Sequence, residues 1–505
     1  MEGEGATAVG HVFATRYGAV RGHRRVPDMV AILGIPYAAP PFGVDRFREP
    51  RAPATWTGIR DGARFGPIAP QSARLPGTPG WSPGDEDVLT VNVWTPALAG
   101  ERLPVLVWIH GGAHTFGSSA QPDFDGVVLA RAGLVVVTAN HRLGFEGFGH
   151  VPGGASAGLP DNRGLLDQVA ALRWVRDNIA GFGGDPDNVT VAGQSSGATA
   201  AACLMVMDRA RGLFRRVIAH SPAAPIHSRE LAAATTAEVA AAAGCRVTAE
   251  ALTAATPGAL VAACDRVVDD YRRNPHSGRR HYDPVIHAPV VDGDVLPADP
   301  LTGLADGRAR GVDLLVCHTA EEYWLLDAVG SSAKVTTERQ LAVFAADFGL
   351  SEDLVTAYRA AMPQAPVLDV YLAILGEVMF GEYSRRLAER HARAGGRAFL
   401  SRFTRRPSAP GAVPRAWHCA DVPFAFGNLD LDEVRFLIGG PPDDADRGLS
   451  QRMVRAWAVF AAGGDPGWPH LDDTSRHTHI WDTRDRPHAP VHAPWTDVDF
   501  GPLHP

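Results

Sequence analysis

The stretch Val189-Thr190-Val191-Ala192-Gly193-Gln194-Ser195-Ser196-Gly197-Ala198-Thr199-Ala200-Ala201-Ala202 decides the fold of this chain. Residues 189–192 are apolar or β-branched and read as a strand. A Gly-x-Ser-x-Gly follows, and then a run of small residues that suits a helix starting close to a sheet. Strand, glycine-flanked serine and helix in that order form the nucleophile-elbow pattern, in which the serine sits on a strained turn and lifts its hydroxyl above the sheet. So tight a turn brings the residues two before and two after the serine together, and glycine at 193 and 197 avoids the collision. The helix start also supplies backbone N–H groups that can face a developing negative charge.

Working outward, Val91–Trp94, Pro104–Ile109, Leu134–Ala139, Leu314–Cys317 and Ala398–Phe403 read as further strands. Pro104–Ile109 is a continuous apolar run ending in glycines, as a central buried strand should be. Residues from about Gly10 to Val30 read as two short strands with a turn near Tyr17-Gly18. Between Leu165 and Ile179 apolar residues recur at helical spacing, and Gly181 ends the segment. Strands alternating with helices imply an α/β fold with a mostly parallel sheet. Two alanine-rich helical excursions, near 229–273 and 336–396, interrupt the alternation, and we expect them to flank a pocket. No internal repeat or long low-complexity linker divides residues 1–505, so a single domain is expected.

The 505 residues are 45% hydrophobic and 21% charged, which places the chain among globular proteins. A net charge of −8 gives no reason to expect a nucleic acid or an anionic membrane as partner. No apolar run reaches the ~18 residues needed to span a bilayer, and the acidic start Met1-Glu2-Gly3-Glu4-Gly5 lacks the apolar core of a secretory signal. The five cysteines, Cys203, Cys245, Cys264, Cys317 and Cys419, are scattered without a Cys-x-x-Cys. Neither a disulfide framework nor a zinc site is expected, and a reducing, cytoplasmic setting fits.

Many ordered blocks resemble the type-B carboxylesterases, the α/β-hydrolase group that includes bacterial para-nitrobenzyl esterases and the cholinesterases. They are Gly34-Ile35-Pro36-Tyr37-Ala38, Arg46-Phe47, Asp85-Glu86-Asp87-Val88-Leu89, Asn92-Val93-Trp94, Trp108-Ile109-His110-Gly111-Gly112-Ala113 and Asn140-His141-Arg142-Leu143-Gly144. Further along come Gly164-Leu165-Leu166-Asp167-Gln168, Phe182-Gly183-Gly184-Asp185-Pro186, Pro289-Val290-Val291-Asp292-Gly293, Trp457-Ala458-Val459-Phe460 and Gly464-Asp465-Pro466. The resemblance runs nearly end to end. It implies an α/β-hydrolase fold with helical excursions around a gorge, and a serine carboxylic-ester hydrolase acting on small to medium hydrophobic esters. Lys334 is the only lysine among many arginines, which together with the alanine content fits a high-GC bacterial gene.

A serine hydroxyl needs a base within hydrogen-bond reach, and the base needs an orienting acid. In this fold the chain order is serine, acid, histidine. After the strand ending at Cys317 come two neighbouring carboxylates, Glu321 and Glu322, which point to opposite sides, so at most one can serve. The resemblance selects Glu322 and leaves Glu321 as a solvated loop residue. Among 20 histidines, His418 precedes Ala420-Asp421-Val422-Pro423-Phe424-Ala425-Phe426-Gly427, which resembles the family's histidine loop. The resemblance thus implies Ser195 as nucleophile, His418 as base and Glu322 as acid. It also implies an oxyanion hole from the N–H groups of Gly112, Ala113 and Ser196. No metal or organic cofactor is implied, and monomer or homodimer are both compatible. An acyl-transfer or ester-tailoring enzyme would use the same acyl-enzyme, and a non-catalytic binding protein is disfavoured by the complete set.

Some positions depart from the family pattern. Gln194 stands where glutamate commonly precedes the nucleophile, His114 where an aromatic follows the oxyanion turn, and Tyr323 where glycine follows the acid. Val88 replaces the cysteine of many eukaryotic members. Cys245 and Cys264 fall near a pair bonded in some members, and free thiols are expected here. His114, Trp81, Trp324, Phe380 and Phe424 are candidate pocket residues. The resemblance also places Arg46 near Glu86 and Arg142 near Asp167.

Overall fold

Val105, Val107 and Ile109 face one buried cluster while Leu106 and Trp108 face another, so alternate residues of one strand feed two cores. This two-sided burial is what a strand in the middle of a helix-covered sheet requires. In the computed structural model, which describes residues 11–96, 101–154, 156–407, 415–472, 477–483 and 494–505, ten strands form the main sheet. They are β1 (His23–Val26), β2 (Met29–Pro36), β3 (Thr90–Thr95), β4 (Leu103–Ile109), β5 (Val135–Ala139), β6 (Gly184–Gln194), β7 (Arg216–His220), β8 (Asp313–Thr319), β9 (Ala398–Phe403) and β10 (Thr478–Trp481). Their spatial order is β10-β9-β8-β7-β6-β4-β5-β3-β2-β1. From β5 through β10 all neighbours run parallel, and β3, β2 and β1 add an antiparallel edge.

One core lies between the sheet and the helices Arg163–Asn178 and Ser196–Val206. The other lies under the helix Asp444–Gly463, where Trp108 meets Phe426 edge-on at 4.9 Å and Trp457 at 5.8 Å. Helix Asp444–Gly463 starts on a reciprocal capping box between Asp443 and Asp446 and stops at Gly464, which takes the left-handed conformation.

The excursion segments contain helices Arg229–Ala243, Ala249–Ala254 and Pro257–Arg273, and then Glu338–Asp347, Glu352–Ala361, Val367–Gly376 and Glu382–Arg393. A π-helical turn, Glu377–Gly381, joins the last two. The N-terminal segment differs from expectation. Val12–Thr15, Gly18–Arg21 and His23–Val26 make three strands before β2 begins, and Gly10 itself lies outside the described residues. Gly22 lies between the second and third of these strands, where a Cβ would meet the Val30 side chain at 2.5 Å.

Candidate active site

Strand β6 ends at Gln194, and the chain then reverses into the helix Ser196–Val206 through Ser195 at φ 55°, ψ −127°. A non-glycine residue in that region costs of order 1–3 kcal/mol and persists only where its surroundings over-determine it. Here they do. The Ser195 N–H donates to His220 O at 2.9 Å at the end of β7. A Cβ on Gly193 would lie 2.5 Å from Gly197, and one on Gly197 would lie 2.2 Å from Ile109 O. The glycine spacing is therefore a steric requirement of the turn.

The loop after β4 is equally constrained. Gly112, Ala113 and His114 have φ of 113°, 51° and 58°. A Cβ on Gly112 would sit 1.9 Å from Phe116 O, and one on Gly111 would meet Gln194 Oε1 at 2.7 Å and Ser195 Cβ at 3.1 Å. This glycine turn is thus pressed against the elbow. Gln71 clips it from outside, accepting from Gly117 N–H and donating to Gly117 O. Among the described residues the Gly112 and Ala113 N–H groups find no hydrogen-bond acceptor.

Glu322 follows β8. Its Oε2 accepts from His418 Nδ1 at 2.6 Å, and its Oε1 accepts from Ser221 Oγ at 2.7 Å and from Thr319 N–H at 2.6 Å. The His418 N–H returns to Glu322 O at 3.2 Å. Both side chains are buried. Burial disfavours a charged His418, but the neighbouring Cys419 and the Glu322 carboxylate outweigh it and raise its pKa well above the ordinary imidazole value. The ring of Phe380, set by the π-helical turn, covers His418 at 4.3 Å between centroids. Among the described residues, Nε2 of His418 is hydrogen-bonded to Gln194 Nε2 at 2.9 Å, and Ser195 Oγ has no hydrogen bond to it.

Tyr323 stands beside an intact Glu322–His418 contact. Its ring is fully buried, and its hydroxyl donates to Tyr282 O at 3.2 Å. Glu321 corrects the expectation of a solvated residue. It is buried and holds Arg406 at 2.6 Å, Arg415 at 2.9 Å and the Ala416 N–H at 2.9 Å, so it ties the histidine loop to β8.

The pocket candidates separate. Phe380 lies on His418. His114 is buried, lies tilted against Phe148 at 4.5 Å between centroids, and has its pKa pushed down to about 3 by burial and by its histidine neighbours. Trp81 leans on Gly258 at the start of the helix Pro257–Arg273, as a loop anchor would. Trp324 donates to Asp369 and lies under Arg415. Phe424 is fully buried against Phe403, inside the second core and not at a pocket wall. Its apolar spacing in the histidine loop serves packing.

Two supports were not foreseen. Ser221, at φ 46°, donates to the Glu322 carboxylate together with Thr319 N–H. Its sequence signal was a polar residue directly after an unread strand. Beneath the elbow, His220 Nδ1 donates to Asp421 at 2.6 Å and Nε2 accepts from Trp457 at 3.2 Å, all buried. His220, Cys317 and Asp421 lie close enough to be compared with a metal site. The direct His220–Asp421 bond and the Cys317 thiol, whose pKa burial raises well above normal, make a packed polar cluster the better description.

The ion-pair expectations also divide. Arg142 meets Asp167 as proposed. Arg46 instead pairs with Glu146 at 2.5 Å, while Glu86 is exposed. Glu146 lies on the short helix Gly144–Phe148, which carries it inward. The five cysteines are all free, and Cys264 contacts His287 Nε2 at 3.2 Å, not Cys245.

A strained serine between a glycine-lined turn and a buried carboxylate–imidazole pair, on a mostly parallel sheet, defines an α/β-hydrolase. The chain belongs to the carboxylesterase family, whose sequence model matches residues 10–489, and it is a carboxylic ester hydrolase. It is 34% identical over 485 residues to the para-nitrobenzyl esterase of Bacillus subtilis (strain 168), covering 94% of this chain and 95% of that one. It is also 34% identical to the fumonisin B1 esterase of Sphingopyxis macrogoltabida, covering 91% and 84%. Among solved structures, a carboxylesterase of Geobacillus stearothermophilus at pH 6.2 superposes with a TM-score of 0.82 at 34% identity, covering 94% of this chain and 96% of that one. A serine mechanism is general for the family. Among the described residues no helix is long and apolar enough to cross a membrane.

Proposed function

We propose that Ser195, His418 and Glu322 are the nucleophile, base and acid of this esterase. The observation that carries the reading is the 2.6 Å bond from His418 Nδ1 to Glu322 Oε2 beside the strained elbow. With Nδ1–H committed to Glu322, the free electron pair of a neutral His418 is at Nε2 and can accept the Ser195 proton. Ser195 Oγ then attacks the ester carbonyl, and the N–H groups of Gly112, Ala113 and Ser196 take up the charge on its oxygen. Losing one such donor typically costs ~10²–10³ in rate. The alcohol departs with the proton from His418, and water resolves the acyl-enzyme by the same steps. The absent Ser195–His418 bond is compatible with this, because catalytic hydrogen bonds often tighten only in the substrate complex.

The substrates are read as small to medium hydrophobic esters, with Phe380 over His418 and His114 directly after the Gly112-Ala113 turn. We read residues 1–505 as one domain of a cytoplasmic bacterial enzyme acting without metal or cofactor, as monomer or homodimer. The buried unpaired thiols favour the reducing compartment. Intact-mass analysis after a fluorophosphonate tests the site. One adduct on wild type and none on Ser195→Ala is expected, and an unlabelled, folded wild type would overturn it. An acetyl-to-octanoyl nitrophenyl ester series then measures the acyl preference, and added alcohol separates transfer from hydrolysis.

A further inference from the structure

Gln194 is the last residue of β6, and its register partner on β7 is His220. Its side chain is buried and bridges two parts of the site. The oxygen Oε1 lies against Gly111 of the oxyanion turn, and Nε2 lies 2.9 Å from His418 Nε2. The polarity of that second contact follows the protonation state of the ring. His418 Nδ1 donates to Glu322, so a neutral ring presents a lone pair at Nε2. A carboxamide N–H satisfies that lone pair, whereas the turned-over amide would set a carbonyl oxygen against it.

We propose that Gln194 is a positioning residue for the base: its amide N–H occupies His418 Nε2 in the substrate-free enzyme, keeps that nitrogen unprotonated, and is exchanged for the Ser195 hydroxyl when the nucleophile is activated. The inference rests on the assignment of His418 and Ser195 above. An N–H donor can face Nε2 only while it carries no proton, so Gln194 opposes the pull toward the imidazolium. That pull comes from Glu322 at the end of β8 and from Cys419 beside the ring. Asp421 on the same loop and half-buried Asp283 add negative or ionisable groups toward the same ring. Phe380 closes one face of the ring to water. The same bond competes with Ser195 Oγ for one lone pair, so it lowers the base's pKa at a cost in resting-state nucleophile activation.

The test is the pH dependence of fluorophosphonate labelling for wild type, Gln194→Met and Gln194→Glu, with Ser195→Ala as the blank. Gln194→Met keeps the length and removes the donor. Its acid limb should move to higher pH, and its high-pH plateau should rise about 2- to 10-fold, the span a single net hydrogen bond allows. Gln194→Glu accepts from a protonated Nε2, and its acid limb should move up by about one pH unit or more. Three coincident acid limbs in folded proteins, or a Gln194→Met plateau at or below wild type, would overturn the inference. Labelling of wild type but not of Ser195→Ala keeps the site assignment standing whichever way the variants fall. Absence of labelling in wild type would instead remove the assignment on which Gln194 depends.

Discussion

Arg142 and Asp167 form a two-pronged ion pair with neither side chain exposed: Nε reaches Oδ2 at 2.9 Å and Nη2 reaches Oδ1 at 2.7 Å. The Arg142 N–H adds a third bond to Oδ2 at 3.0 Å, and Nη1 donates to Arg48 O. Asp167 lies on the helix Arg163–Asn178, so the pair binds the segment after β5 to the helix that covers the sheet.

Removing one partner leaves a buried, uncompensated charge. Asp167→Ala should therefore lose about 3–5 kcal/mol, read from urea unfolding. Glu86→Ala, on an exposed side chain, should stay within about 0.5 kcal/mol of wild type. Equal midpoints for Asp167→Ala and wild type would show that the pair contributes nothing net.

Glu322→Gln keeps the volume of the acid but offers His418 no carboxylate. A fall of roughly 10³- to 10⁴-fold in kcat is expected, with a melting temperature close to wild type. Glu321→Gln should act differently. It breaks contacts to Arg406 and Arg415, so stability should fall while labelling of Ser195 persists. Steady-state kinetics with thermal unfolding distinguishes the two carboxylates, and inactivation by Glu321→Gln alone would reverse their roles.

The elbow glycines admit no methyl group. Gly197→Ala would place Cβ 2.2 Å from the Ile109 carbonyl oxygen, a backbone atom that cannot turn aside. Overpacking of this kind costs about 1–3 kcal/mol, and it should also displace Ser195 and abolish fluorophosphonate labelling. Gly448, where a Cβ meets nothing within 4 Å, is the control, and Gly448→Ala should label like wild type.

Burial pushes His110 and His227 down to about 4, and His114, His287 and His318 down to about 3. Their folded-state values lie below the unfolded value of about 6.5, so the unfolded chain takes up protons first as pH falls. Their contribution to stability is complete above about pH 6.5 and is lost progressively toward pH 4. Asp123 and Asp283, pushed up by burial to about 7 and 6, act in the opposite sense over part of the same window. They are outnumbered, so melting temperatures should fall steadily from pH 7 to pH 5. A flat profile there would contradict the burial of these rings as neutral groups.

Much of the site was legible because short-range sterics wrote it into the chain. The elbow glycines, the apolar strand before them and the glycine turn after β4 each answer to contacts within a few residues or between adjacent strands. What escaped reading depends on residues far apart. Thr478–Trp481 and Arg216–His220 are short, and their place in the sheet follows from pairing with β9 and with β6 and β8. Met29–Pro36 was obscured by Gly34 and Pro36, yet it pairs with β3 across an irregular register. Phe424 fits the spacing of a pocket wall, and only the packing of Phe403 and helix Asp444–Gly463 shows that it belongs to the core.

The sequence by itself determined the strained serine turn and the parallel α/β layering, because both follow from local backbone sterics and the period of apolar residues. Similarity to known esterases supplied the reading of the acid and the base. Only the tertiary structure decided which carboxylate reaches His418, which glutamate answers Arg46, and that Ser221 stands against Glu322 and Gln194 against His418. Those choices turn on side-chain distances between segments up to 224 residues apart. Hydrogen-bond energy falls away within a fraction of an ångström, so residue order alone cannot specify them.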